Sequence, residues 1–259
     1  MNLIKKNSFV ILIIIFIITN INAQNEVTYH PDGILGSLSF HANFKYYSVS
    51  KDPQYSFVDV EQFAAKLNWV SNSRMSVSAQ AIVIKEDSTH YRFGGGIKYY
   101  LKNPINSYQN KNHDGTIGFP IISIDGFISK SSENTEESKL LGIAKLIFPL
   151  SKTITFSGGY QYYDELNAFN LRDKFLSIKY YFSYSNPTQM YLNPDGPIGN
   201  LVMELSGGAS SKGEYGDLSL LFPLNPTLTL FSEMTYEQTE FQNKKSYGIG
   251  LGFSYYPSR

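Results

Sequence analysis

The chain has 259 residues, with 22 Lys and Arg against 22 Asp and Glu, and no cysteine. Zero net charge argues against a dedicated nucleic-acid binder, and the absence of thiols excludes a disulfide scaffold and a thiolate metal site. Tyr (20) and Phe (18) are abundant, and both favour strands and bilayer interfaces.

The N-terminus opens with Lys5 and Lys6, an apolar run from Phe9 to Thr19, and Ile21-Asn22-Ala23 ahead of Gln24. This is the order of features in a signal peptide, residues 1–23. No later stretch reaches the roughly 20 apolar residues that a membrane-crossing helix needs. The exported chain is therefore either soluble or crosses a membrane as strands. Residues 24–36 read as a short periplasmic lead-in with a turn at Pro31-Asp32-Gly33, and residues 37–259 as one β domain.

Period-2 alternation predicts twelve strands. Nine of them lie at 37–48, 62–70, 74–84, 90–102, 116–129, 139–148, 153–163, 175–184 and 200–209. The tenth and eleventh form a hairpin within 216–238, and the last runs over 246–256. In the hairpin, Leu218, Leu220 and Phe222 alternate on one arm and Leu228, Leu230, Met234 and Tyr236 on the other. Proline cannot donate to a ladder, so Pro223-Leu224-Asn225-Pro226 is expected as the turn. The hairpin recurs upstream at an offset of 74 residues, Phe148 falling on Phe222 and Pro149 on Pro223, with a looser copy at 67–75.

Within these boundaries one parity of every strand excludes charge. The other collects Lys45, Lys66, Arg92, Lys98, Asp125, Lys145, Lys179, Glu204, Asp217 and Glu233. Asp59, Glu61 and Lys174 join the apolar parity if the second and eighth strands start earlier. A soluble sandwich also alternates, so strand length and aromatic placement decide. Most of the strands are about 9–14 residues long, where a tilted membrane strand needs roughly 9–11 and a globular strand about 5–6. With odd strands running outward, Trp69, Tyr99, Phe148, Tyr184, Phe222 and Tyr255 fall at the periplasmic rim. Tyr46, Tyr91, Tyr162, Tyr236 and Tyr247 fall at the outer rim, which makes two aromatic girdles. Two inner connections, 103–115 and 185–199, are longer than usual for a barrel; they are either a strand miscount or segments folded across the periplasmic mouth.

The signal peptide, the alternating strands, the repeated proline-containing turns and the segment Tyr247-Gly248-Ile249-Gly250-Leu251-Gly252-Phe253-Ser254-Tyr255-Tyr256 together resemble the bacterial outer-membrane β-barrel superfamily. The resemblance covers the mature chain and implies an all-β, antiparallel up-and-down transmembrane barrel of about 12 strands in the outer membrane. It also implies outer-membrane lipid as a partner and recognition of the last strand by the barrel-assembly machinery. Pro257-Ser258-Arg259 departs from the terminal aromatic common in that superfamily.

Ser39, His41 and Asn43 share one face of the first strand and resemble the Ser–His–Asn set of outer-membrane phospholipases, which makes Ser39 and His41 the candidates for catalysis. Residues two apart on a strand sit about 6–7 Å apart, and these face the lumen rather than lipid, so a polar lining explains them more simply. The histidines His30, His41, His90 and His113 form no metal motif; no metal and no cofactor are expected. Lys45, Lys66, Arg92 and Lys98 form a basic lumen wall, and Glu204, Asp217 and Glu233 an acidic one. Either they neutralise each other in a closed core or they set a transverse field in a narrow wet channel.

The function expected is a monomeric, non-catalytic outer-membrane barrel, a narrow channel for a small polar solute or a structural membrane protein. The alternatives are an accessory barrel of a secretion or surface-polymer export system and a barrel enzyme acting on lipid or lipopolysaccharide.

Overall fold

The computed structural model describes residues 28–52, 55–85, 88–105, 110–132, 139–163, 174–184, 190–210, 213–239 and 244–256. The expected signal peptide lies outside them. Among the described residues the chain is all-β. A two-stranded hairpin, β1 (Tyr29–His30) and β2 (Gly33–Ile34), precedes twelve long strands. These are β3 (Leu38–Asp52), β4 (Tyr55–Asn72), β5 (Met75–Lys85), β6 (Thr89–Tyr100), β7 (Ile121–Ser131) and β8 (Lys139–Pro149). After them come β9 (Ile154–Tyr163), β10 (Lys174–Tyr181), β11 (Val202–Ser210), β12 (Gly213–Asn225), β13 (Leu228–Thr239) and β14 (Lys244–Tyr255).

Each long strand pairs antiparallel with its sequence neighbours, and β14 pairs with β3 from Tyr247↔Ser50 to Tyr255↔Ala42, which closes the barrel. Closure leaves no open edge, and in hydrocarbon an open edge would expose backbone N–H and C=O groups with no water to satisfy them. Residues 28 and 256 both lie at one end of the barrel, the one expected from the sequence to be the inner end.

The apolar parity faces outward. Ile124, Leu176, Ile249 and Leu251 are 60–63% exposed, and Phe93, Ile97, Leu205 and Met234 are similarly open. In water such a continuous apolar surface would be untenable; against lipid tails it is the required surface. The outward parity carries charge only where the strands outrun the belt. β4 starts at Tyr55 rather than near Gln62, because its pairing with β3 continues to Asp52↔Tyr55, and this brings exposed Asp59 and Glu61 into the strand. Glu61 meets Lys85 at 3.6 Å. Such charge costs little near an interface.

Two further expectations are corrected. Residues 223–226 are not the turn, because β12 runs on to Asn225, with Pro223 opposite Thr229, and β13 starts at Leu228. Proline is tolerated in the ladder at this end, beside the register shift between Pro223 and Asn225. The fifth strand begins at Ile121 instead of residue 116, because Lys111↔Thr116 closes a small inner turn first.

Leu251 stands near mid-belt. Leu251→Arg is expected to destabilise the barrel in phospholipid vesicles by roughly 2–4 kcal/mol, as measured by reversible denaturant unfolding. The same change at outer-rim Tyr247 should cost far less.

Candidate functional site

The inner mouth is filled by three turns of one design. Asp-Gly-x-(Leu/Ile)-Gly occurs at 32–36, 114–118 and 195–199. The last glycine of each has a left-handed backbone, with φ of 76° at Gly36, 82° at Gly118 and 75° at Gly199, a conformation glycine adopts without steric cost. Its N–H donates to a carbonyl at the inner end of a strand: Gly36 to Val70 (2.8 Å), Gly118 to Pro149 (2.9 Å) and Gly199 to Pro223 (2.7 Å). Each aspartate N–H donates to the side chain two residues earlier: Asp32 to His30 Nδ1 (3.2 Å), Asp114 to Asn112 Oδ1 (2.9 Å) and Asp195 to Asn193 Oδ1 (2.8 Å).

A tyrosine then latches each carboxylate. Tyr100 donates to Asp32 at 2.8 Å, Tyr181 to Asp114 at 2.7 Å and Tyr256 to Asp195 at 2.8 Å. The barrel thus divides into three units of a turn and four strands, β3–β6, β7–β10 and β11–β14, each turn being held by the end of its own fourth strand. Of the inner connections 103–115 and 185–199, the described parts at 110–115 and 190–199 therefore fold across the mouth. Their anchor residues Asn112 and Asn193 are buried and bonded to Thr155 and Thr229. His113 reaches from the second turn to the Asn193 carbonyl at 2.6 Å, and Tyr191 donates to the Asn112 carbonyl at 3.3 Å.

Lysines complete two of the latches. Lys98 pairs with Asp32, and Lys179 Nζ lies 3.4 Å from Asp114. Burial disfavours a charged Asp32, but the Lys98 ammonium, with His30 and the Ser76 hydroxyl, outweighs it and holds the carboxyl well below the usual carboxylate range. Asp114 is likewise disfavoured by burial and likewise held low, by Lys179 together with Thr155 and Tyr181. A depressed carboxylate contributes its full stabilisation above the unfolded value of about 3.9, and loses it only as pH falls through the folded value.

Between the turns and the barrel wall lies a cavity of about 220 Å³ lined mainly by polar side chains, among them Asp32, Asp114, Asp195, Lys66, Lys98 and Lys179. Ser39 and His41 also line it. Ser39 Oγ donates to the Asn68 carbonyl at 3.4 Å, and the His41 ring stacks on Tyr256 at 4.6 Å. Both are on the lumen side, away from lipid.

Of the residues named for the two walls, Lys45 meets Glu233 at 2.8 Å. Their strands flank β14, opposite Gly252 and Gly250, and the Phe231 ring lies where a Cβ on Gly252 would be. Glu204 accepts from Ser177 at 3.0 Å and Asp217 from Ser206 at 3.2 Å. Arg92 is half-buried on β6. Trp69, Tyr99, Phe222 and Tyr255 are exposed near the inner ends of their strands, and Phe148 is half-exposed there.

Alternation could not find the three aspartates, which sit in short polar segments without a period. The signal for them was the recurrence of Asp-Gly-x-(Leu/Ile)-Gly, together with Lys98-Tyr99-Tyr100, Lys179-Tyr180-Tyr181 and Ser254-Tyr255-Tyr256. From pH 7 to pH 5 the Gly36 and Gly118 amides should keep their hydrogen-exchange protection after correction for intrinsic rate. Lys179→Met should cut Gly118 protection by about 2–3 kcal/mol, with Gly36 as the internal control.

No protein-family model matches the chain, and neither does any curated protein. Solved structures do. An outer-membrane channel from Pseudomonas putida F1 aligns with a TM-score of 0.52 at 9% identity, over 90% of this chain and 99% of that one. An outer-membrane phospholipase of Salmonella typhi, a dimer with bound calcium, aligns at 0.51 and 11% identity over 92% and 96%. Outer-membrane phospholipase A of Escherichia coli aligns at 0.50 and 11% identity over 83% and 95%. The fold is that of the bacterial outer-membrane β-barrels: a closed twelve-stranded antiparallel ladder with an apolar outer belt.

Proposed function

We propose that this barrel is a non-catalytic, narrow channel for a small polar solute, its inner mouth closed by the three Asp-Gly turns. Channel and phospholipase share the fold, so the fold does not choose between them; the interior supports the channel. The observation that carries this reading is the charged cavity of about 220 Å³ at the mouth. Three carboxyl and three amino side chains face one space, and Asp195 and Lys66, which stand outside the two ion pairs, are best accommodated with water or a polar solute beside them; rings of charge are how narrow pores select what they admit. The enzyme alternative needs Ser39 beside lipid, and its hydroxyl is turned to the lumen and spent on a backbone carbonyl.

The test is conductance in planar bilayers. The wild-type barrel should show sparse openings of small amplitude. The double variant Asp32→Ala, Asp114→Ala, which removes both ion-paired latches, should raise the open probability and the amplitude. If neither protein conducts, the channel reading fails and a purely structural barrel remains.

A further inference from the structure

The three units agree in turn, glycine and tyrosine, and differ at one position. Where the first two carry Lys98 and Lys179, two residues before the latching tyrosine, the third carries Ser254. Asp195 therefore accepts from Tyr256 but has no Lys, Arg or His within ion-pair distance among the described residues. Beside the missing lysine, Asn43 Nδ2 donates to Ser254 Oγ at 3.1 Å, while the buried Asn43 Oδ1 has no donor.

The same cavity holds three carboxylates, Asp32, Asp114 and Asp195, and three ammonium groups, Lys66, Lys98 and Lys179. Two pairs form, which leaves Asp195 and Lys66. Lys66 makes no hydrogen bond or ion pair among the described residues. A carboxyl and an amino side chain outside the two ion pairs thus line a space with room for several waters or one small polar molecule.

We infer that this cavity binds a small zwitterion with a primary ammonium and a carboxylate, such as a free amino acid or a short peptide. Its ammonium takes the place beside Asp195 that Lys98 and Lys179 fill in the other units, and its carboxylate faces Lys66. The two intact units show what the third accepts, because an ammonium on the turn aspartate is their resident partner. This names a solute for the proposed channel and rests on that reading, so binding and conductance are measured separately.

The experiment is equilibrium dialysis of radiolabelled L-alanine against the full-length barrel in detergent, with heat-modifiable migration as the check of folding. L-alaninamide, which keeps only the ammonium, and N-acetyl-L-alanine, which keeps only the carboxylate, serve as competitors. Wild type should bind alanine saturably, and each single-charge analogue should compete roughly tenfold more weakly or worse. Asp195→Asn and Lys66→Gln should each weaken binding by a similar factor. Ser254→Lys, which supplies the missing ammonium from within, should abolish it. Absence of saturable binding to folded wild type overturns the inference, as does alanine binding unchanged in Asp195→Asn or Ser254→Lys. Conductance without alanine binding removes the site and leaves the channel; alanine binding without conductance does the reverse.

Discussion

Everything in this molecule depends on the hydrogen-bonded seam between β14 and β3. In hydrocarbon a free strand edge leaves a row of N–H and C=O groups with no solvent, each at a cost of several kcal/mol. Joining the last strand to the first removes that row. It also makes neighbours of residues far apart in sequence, which is how Lys45 and Glu233 form an ion pair over the glycines of β14. A side chain in place of Gly252 would run into the Phe44 carbonyl and the Phe231 ring.

The second constraint is charge in a confined interior. A buried ion is tolerable when its partner and hydrogen bonds are fixed beforehand. The inner mouth meets this by repetition: a turn with a left-handed glycine presents an aspartate to a tyrosine from the fourth strand of the same unit, and in two units a lysine adds its charge. Asp32 and Asp114 are ionised for that reason although both are enclosed. Asp195 has the tyrosine and lacks a lysine at ion-pair distance, and Lys179 acts on it only at longer range.

Much of the barrel was legible in the chain. The number of long strands, their antiparallel succession and the outward parity follow from alternation in residues such as Tyr247, Ile249, Leu251 and Phe253. Strand ends were less legible, because pairing with a long partner carries a strand past the point where its pattern breaks, as at Asp59 and Glu61. Pro223 was misplaced because a proline near a sheet end resembles a turn, while its missing N–H costs little there. The mouth was hidden for another reason. Lys98 reads as lumen lining from its parity, but its partner Asp32 lies in a segment that looks like a mere lead-in. Only the fold brings residues 32, 98 and 100 together.

The three-unit construction also bears on how the protein is made. The His113 and Tyr191 bonds and the Lys111 contact with the Tyr191 ring join the second and third turns, while the aspartate and glycine bonds described above come from each turn's own four strands. A unit can therefore complete its polar knot while later parts of the chain are still arriving, with only modest loops to close. The contact between the two extremes of the sequence is the most distant of all and naturally comes last. Assembly would then resemble three prefabricated staves followed by a single hoop, and the slow step would be fastening the hoop.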